Sequence, residues 1–129
     1  MKNSIAQISL LVKDYDEAIS FYVDKLKFHL LEDTYLSETK RWVKVSPNAD
    51  AAFALLLAKA DGEEQMKYVG NQSGGRVFLF LYTDDFDGFY QDLIAQEVKI
   101  IREPVVQKYG KVAVFADLYG NLWDLIQTA

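Results

Sequence analysis

Asp124 is the residue best placed to do chemistry in this chain. It stands in the run Asp117-Leu118-Tyr119-Gly120-Asn121-Leu122-Trp123-Asp124-Leu125, where strand-like apolar sequence flanks a tight turn. Gly120 can take a positive φ, and Asp117 and Asn121 can bond the turn backbone, so the turn aims the strand that follows. Trp123 and Leu125 then point to one face of that strand and Asp124 to the other. A carboxyl facing an apolar cleft has a raised pKa and can act as an acid or a base. It can equally be a satisfied structural group, paired with Gln7 or a tyrosine hydroxyl. The residues alone leave both open.

Other side chains could bind rather than react. Trp42, Phe78, Phe80, Tyr82 and Tyr109 could line a pocket for a flat or aromatic ligand, although aromatic residues on strands more often belong to the core. Arg41 and Arg76 could hold a carboxylate or phosphate through paired N–H donors; a solvated position is the simpler role for Arg76. His29 is the sole histidine, and its place on a probable strand fits an exposed edge better than a catalytic base. Asp84, Asp85 and Asp87 cluster where a helix starts, which capping and the helix dipole explain without a metal. With no cysteine and one histidine, zinc-thiolate sites, Cys nucleophiles and multi-histidine sites within one chain are excluded. No Ser-His-Asp arrangement is supported.

A length of 129 residues suits one domain or one domain built of two halves. Half the residues are hydrophobic and 14% aromatic, enough for a packed core. The net charge of -5 argues against nucleic acid or an anionic membrane as partner. Met1 to Ser4 carries no apolar signal region and no run is long enough to span a bilayer, so a cytoplasmic protein is expected.

The elements that must position these residues repeat. Ile5 to Lys13 reads as a buried strand, and Asp14 with Glu17 forms a capping box for a helix bearing Ala18, Ile19, Phe21, Tyr22 and Leu26. Strands follow at Phe28 to Glu32, Arg41 to Val45 and Ala52 to Ala58. From Lys59 to Gly75 the pattern breaks, with a short helix over Glu63 to Val69. The glycine-rich stretch Gly70 to Gly75 reads as a linker or lid, since it lacks the Lys-Ser/Thr ending of a phosphate loop. Then the theme restarts: strand Val77 to Thr83, a helix capped by Asp84-Asp85 through about Gln96, and strands Val98 to Arg102, Lys111 to Phe115 and Asn121 to Gln127. Laying one half on the other puts Gln7 on Phe78, Asp14 on Asp85, Tyr15 on Phe86 and Asp16 on Asp87. An offset one residue shorter puts Arg41 on Lys111 and Phe53 on Trp123. The domain therefore divides into residues 1–60, a linker or lid over 61–75, and residues 76–129, each half being strand, helix, three strands.

Ile8-Ser9-Leu10-Leu11-Val12-Lys13-Asp14, Ala18, Phe21-Tyr22, Leu26-Lys27-Phe28, Asp84-Asp85-Phe86-Asp87 and the Asp117 to Leu125 run together resemble the vicinal-oxygen-chelate superfamily (glyoxalase I, bleomycin-resistance proteins, extradiol dioxygenases). At Leu26-Lys27-Phe28 the family usually has Leu-Gly-Phe. The resemblance spans nearly the whole chain. It implies an α+β fold in which two βαβββ modules form a curved mixed sheet around a ligand cleft, and a homodimer. It also implies a divalent metal held by the first and last strands of each module. Matched position by position, those ligands fall on Gln7, on Ala54 or Leu56, on Phe78 and on Asp124. Two oxygen donors are too few to hold Fe²⁺, Ni²⁺ or Zn²⁺ tightly. The metal site is therefore expected to be degenerate, with no required cofactor, while a weak Mg²⁺ or Mn²⁺ completed by water or substrate stays open.

Two functions of different kind follow. One is a metal-independent binder of a small apolar or aromatic molecule, with Trp42, Phe78, Tyr82 and Tyr109 packing it and Gln7, Arg41 and Asp124 fixing its polar groups. The other is a metal-dependent lyase, isomerase or dioxygenase using Gln7 and Asp124, or a metal-free enzyme with Asp124 as base.

Overall fold

In the computed structural model of the chain, which describes residues 1–50 and 52–129, two aspartates start two helices in the same way. Asp14 accepts the Glu17 N–H at 2.9 Å and opens α1, Tyr15–Ile19, which continues as a π-helical segment over Ser20–Lys25. Asp85 accepts the Gly88 N–H at 3.0 Å and opens the longest helix, Phe86–Ala95. In each case a carboxylate satisfies an N–H that the helix itself leaves unpaired.

The fold is α+β and consists of two βαβββ modules. The strands of the first are β1 (Gln7–Val12), β2 (His29–Tyr35), β3 (Arg41–Ser46) and β4 (Ala54–Lys59), ordered β1-β4-β3-β2. β1 pairs with β4 in parallel and the remaining pairs are antiparallel. A short α2, Gly62–Met66, follows β4. The strands of the second are β5 (Val77–Tyr82), β6 (Ile100–Gln107), β7 (Gly110–Ala116) and β8 (Leu122–Thr128), with α3 (Phe86–Ala95) after β5. Their order is β5-β8-β7-β6, again with one parallel pair, β5 with β8. The chain divides into compact units at Met1–Val69 and Gly70–Ala129.

Each sheet buries one face under its own helix. In the first unit Leu10, Val12, Val43, Val45 and Leu57 are completely buried, and α1 lies on β3 and β4. In the second, α3 lies on β8, and Phe115 stacks on Trp123 with ring centres 5.8 Å apart. The alternation of strand side chains leaves the other face of each sheet free of its helix.

The superposition of halves read from the sequence marks one structural device made twice. Arg41 at the start of β3 pairs with Asp16 at 2.8 Å and lies 5.2 Å from the centre of the Tyr15 ring. Lys111 on β7 pairs with Asp87 at 2.6 Å and lies 5.1 Å from the Phe86 ring. In both modules a strand cation thus ties down the first turn of the helix through a carboxylate and an aromatic face. The copies differ in depth. Arg41 also grips Asp33 with two N–H donors, at 3.0 and 2.6 Å, and its side chain is 10% exposed. The Lys111 and Asp87 side chains are 37% and 81% exposed.

Some boundaries differ from those the sequence suggests. The strand expected to stop at Arg102 runs on to Gln107, through Pro104. Proline has no N–H to donate, but β6 is an edge strand and its pairing is irregular between Arg102 and Val105, the setting in which a strand tolerates proline. Both helices end in a left-handed residue that is not glycine: Lys27 at φ 64° and Glu97 at φ 58°. Lys27 occupies the middle of Leu26-Lys27-Phe28, and its left-handed backbone explains why glycine suits that place.

Two outcomes follow from this architecture. Lys27→Gly relieves a left-handed residue at a cost in chain entropy, and is expected to raise the unfolding free energy by roughly 0.5–1 kcal/mol in urea titration. Arg41→Ala, which unpairs a sheltered carboxylate, is expected to cost roughly 2 kcal/mol in the same measurement, and Lys111→Ala less than about 1 kcal/mol.

Candidate functional site

The turn before β8 is held by one buried carboxylate. Asp117 Oδ1 accepts the backbone N–H groups of Tyr119, Gly120 and Asn121, each at 2.9 Å, and Oδ2 accepts the Asn121 side-chain amide at 2.9 Å. Gly120 takes φ 108°, as its place in the turn requires. Gly70 lies so close beneath this turn that a Cβ there would sit 1.8 Å from the Tyr119 carbonyl oxygen. The turn delivers β8 to the middle of its sheet, where Asp124 pairs with Phe80 of β5 on one side and Val114 of β7 on the other. Val114 in turn pairs with Arg102 of β6.

Phe80, Asp124, Val114 and Arg102 therefore form one row across the sheet, on the face away from α3. They border a pocket of about 360 Å³, whose other walls include Val77, Leu122, Ile101 and Arg76. Phe80 is 58% exposed, an open ring on an apolar floor. Asp124 is half-buried there, and the loss of water around it pushes its carboxyl above the usual aspartate pKa, against a smaller downward pull from the Arg102 charge.

The first unit has a pocket of its own, about 610 Å³, where β3 begins and β4 ends. Trp42, Leu56, Ala58, Lys59 and Gln65 line it, together with Arg41. The guanidinium of Arg41 is already committed to Asp33 and Asp16, and its pKa is held far above its ordinary value chiefly by the Asp33 hydrogen bonds. A ligand carboxylate would have to displace one of these acids.

The residues singled out from sequence thus fall into separate groups. Arg41 and Trp42 share the first unit's pocket, and Asp124 borders the second unit's. Gln7 begins β1 opposite Ala54 and lines neither. Phe78 sits at a register irregularity between Val77 and Leu79, so Val77 and Phe80 are the β5 residues that face the second pocket. Tyr82 stands beyond Phe80 opposite Ile126, 64% exposed, and Tyr109 lies in the β6–β7 turn, also exposed. His29 is exposed at the start of the edge strand β2.

Arg102 is the site residue that the sequence did not single out. Counting back along the β6–β7 hairpin from Gln107 opposite Gly110, Val105 falls opposite Val112, and a regular ladder would set Glu103 opposite Val114. The irregularity at Pro104 slips the pairing by one residue and puts Arg102 there instead. Pro104 on an edge strand was the available signal.

The donors do not fit a tightly held transition metal. The positions that the family resemblance matches to ligands offer an amide at Gln7 and a carboxylate at Asp124, with Ala54, Leu56 and Phe78 supplying none. Among the described residues no three His, Cys, Asp or Glu side chains converge. No helix among them is long and apolar enough to cross a membrane.

The fold agrees with comparison to known proteins. The chain belongs to the Glyoxalase/Bleomycin resistance protein/Dioxygenase superfamily, whose family model matches residues 4–125. It is 59% identical to an uncharacterized protein of Shewanella frigidimarina (strain NCIMB 400) over 128 residues, 98% of this chain and 95% of that one. The crystal structure of UcmS2 matches with a TM-score of 0.85 at 27% identity, covering 98% of both chains. That of TnmS3, an antibiotic binding protein from Streptomyces sp. CB03234, matches at 0.81 with 28% identity over 99% of this chain and 98% of the other.

The displaced Asp124 carboxyl has a consequence for stability. A carboxyl whose folded pKa lies above its unfolded value holds its proton more tightly in the folded chain. Stability is therefore lost as pH rises from the ordinary aspartate range through the folded value. Asp124→Asn removes that titration. In urea unfolding from about pH 3 to about pH 8 the variant is expected to gain on the wild type as pH rises through this interval, with the gain absent in acid.

Proposed function

We propose that this is a cytoplasmic, homodimeric small-molecule binding protein that takes an apolar or aromatic compound and needs no tightly held metal. The observation that carries this is the row Phe80, Asp124, Val114 and Arg102 on the helix-free face of the second sheet. It combines an open aromatic ring, an apolar floor and two polar groups around one pocket. That is the make-up of a binding site, in which apolar contact supplies affinity and a few polar groups fix orientation. Phe80 and Leu122 pack the ligand, Tyr82 extends the aromatic surface, and Asp124 and Arg102 meet its polar atoms. Trp42 serves the same purpose in the first unit's pocket. The likeness to an antibiotic binding protein over almost the whole chain supports the same class of ligand.

A second function has one observation behind it. The raised Asp124 carboxyl is suited to move a proton on a bound substrate. Here Asp124 would be the catalytic residue, with or without a weakly held divalent ion.

Metal content and titration separate the two. Purified protein, of dimer mass by sedimentation, is expected to bind Mn²⁺, Ni²⁺, Zn²⁺ and Fe²⁺ no more tightly than about 1 mM. Screened aromatic antibiotics should bind in the micromolar range, with Asp124→Asn changing their affinity by less than about ten-fold. Stoichiometric metal uptake that Asp124→Asn abolishes would overturn the binding role, and a monomer mass would overturn the dimer.

A further inference from the structure

The pocket on the second sheet is cationic in an acidic chain. Two guanidinium groups, Arg76 and Arg102, border it against a single carboxylate, Asp124, whereas the chain as a whole carries 14 Lys and Arg against 19 Asp and Glu. Taking this pocket as the ligand site proposed above, we infer that it selects aromatic anions: a flat ring system bearing a carboxylate, sulfonate or phenolate, its anionic group held by Arg102 and Arg76.

The two arginines differ in kind from the other strand cations. Arg41 and Lys111 are tied to carboxylates of their own modules. Neither Arg76 nor Arg102 has a carboxylate partner within ion-pair distance among the described residues. Both therefore keep their N–H donors for a ligand, and a guanidinium meets a carboxylate or sulfonate with two parallel N–H donors. The slip at Pro104 sets the sign of the charge. It places Arg102 opposite Val114, across that valine from Asp124, where a regular ladder would have set a second acid, Glu103. Apolar walls at Val77, Leu122 and Ile101 give the ring system apolar contact beside the two charges. The open face of Phe80 offers a stacking surface for the ring system. A volume of about 360 Å³ suits a compound of two or three rings.

A matched pair of fluorescent probes tests this: 8-anilinonaphthalene-1-sulfonate, and N-phenyl-1-naphthylamine, which has the same rings and no sulfonate. Both are expected to bind the wild type. Replacing both arginines, Arg76→Gln with Arg102→Gln, should weaken the sulfonate by about ten-fold or more and the neutral probe by less than about three-fold. The two Arg→Lys changes together should keep most of the sulfonate affinity, and Asp124→Asn should tighten it. Arg76 and Arg102 are exposed and have no ion pair to lose, so the variants should unfold at the wild-type denaturant concentration. Equal weakening of both probes would overturn anion selection while leaving the pocket as the binding site. Loss of sulfonate binding in Lys40→Gln with Lys59→Gln instead would move the anion to the first unit's pocket and overturn the inference. Failure of the sulfonate alone to bind the wild type would overturn the inference, and failure of both probes would overturn the site it rests on as well.

Discussion

One buried carboxylate, Asp117, organises the second module. Its oxygens take four N–H donors within a five-residue span, and so pin the turn at the edge of the core. This fixes the direction in which β8 leaves the turn. Everything on the helix-free face inherits that direction, because β8 is the strand that both β5 and β7 pair with. Phe80 and Val114 stand beside Asp124 only because β8 lies between their strands. The close approach of Gly70 to the same turn ties the start of the second unit to it.

The two modules share their scaffolding more closely than their sites. Aspartate caps, a cation–carboxylate–aromatic clasp at the helix start, and left-handed helix ends occur in both. These devices hold helix to sheet and leave the opposite face free to change. The pockets differ: the first is bordered by Trp42, two lysines and an ion-paired arginine, the second by an open phenylalanine ring, two arginines and a half-buried carboxylate. Such a division lets one fold keep its stability while the face away from the helix varies.

The polar content of the second pocket bears on both functions considered for it. A carboxylate and a guanidinium on either side of a valine can orient a ligand's polar atoms, and the same carboxyl can move a proton. A tightly coordinated transition metal requires more donors than these positions offer.

The sequence by itself determined what depends on neighbours a few residues apart. Asp14 and Asp85 reach N–H groups three residues on, and Asp117 reaches those two to four residues on, so caps, turn and the repeat of strand, helix and three strands were legible. The matching of Tyr15, Asp16 and Arg41 with Phe86, Asp87 and Lys111 was legible too, since each trio occupies equivalent places in a repeated module. Tertiary structure alone decided which side chains meet on the helix-free face of the second sheet. That choice rests on strand register, and a slip of one residue exchanges neighbours of opposite charge or turns a side chain to the other face. Irregular pairing put Val77 rather than Phe78 in the pocket with Phe80, and put Arg102 rather than Glu103 opposite Val114, across from Asp124. Arg41, free on paper to bind an anion, was claimed by Asp33 across the β2–β3 pairing. Local hydrogen bonds are written in adjacent residues; register is settled only when distant strands compete for the same ladder.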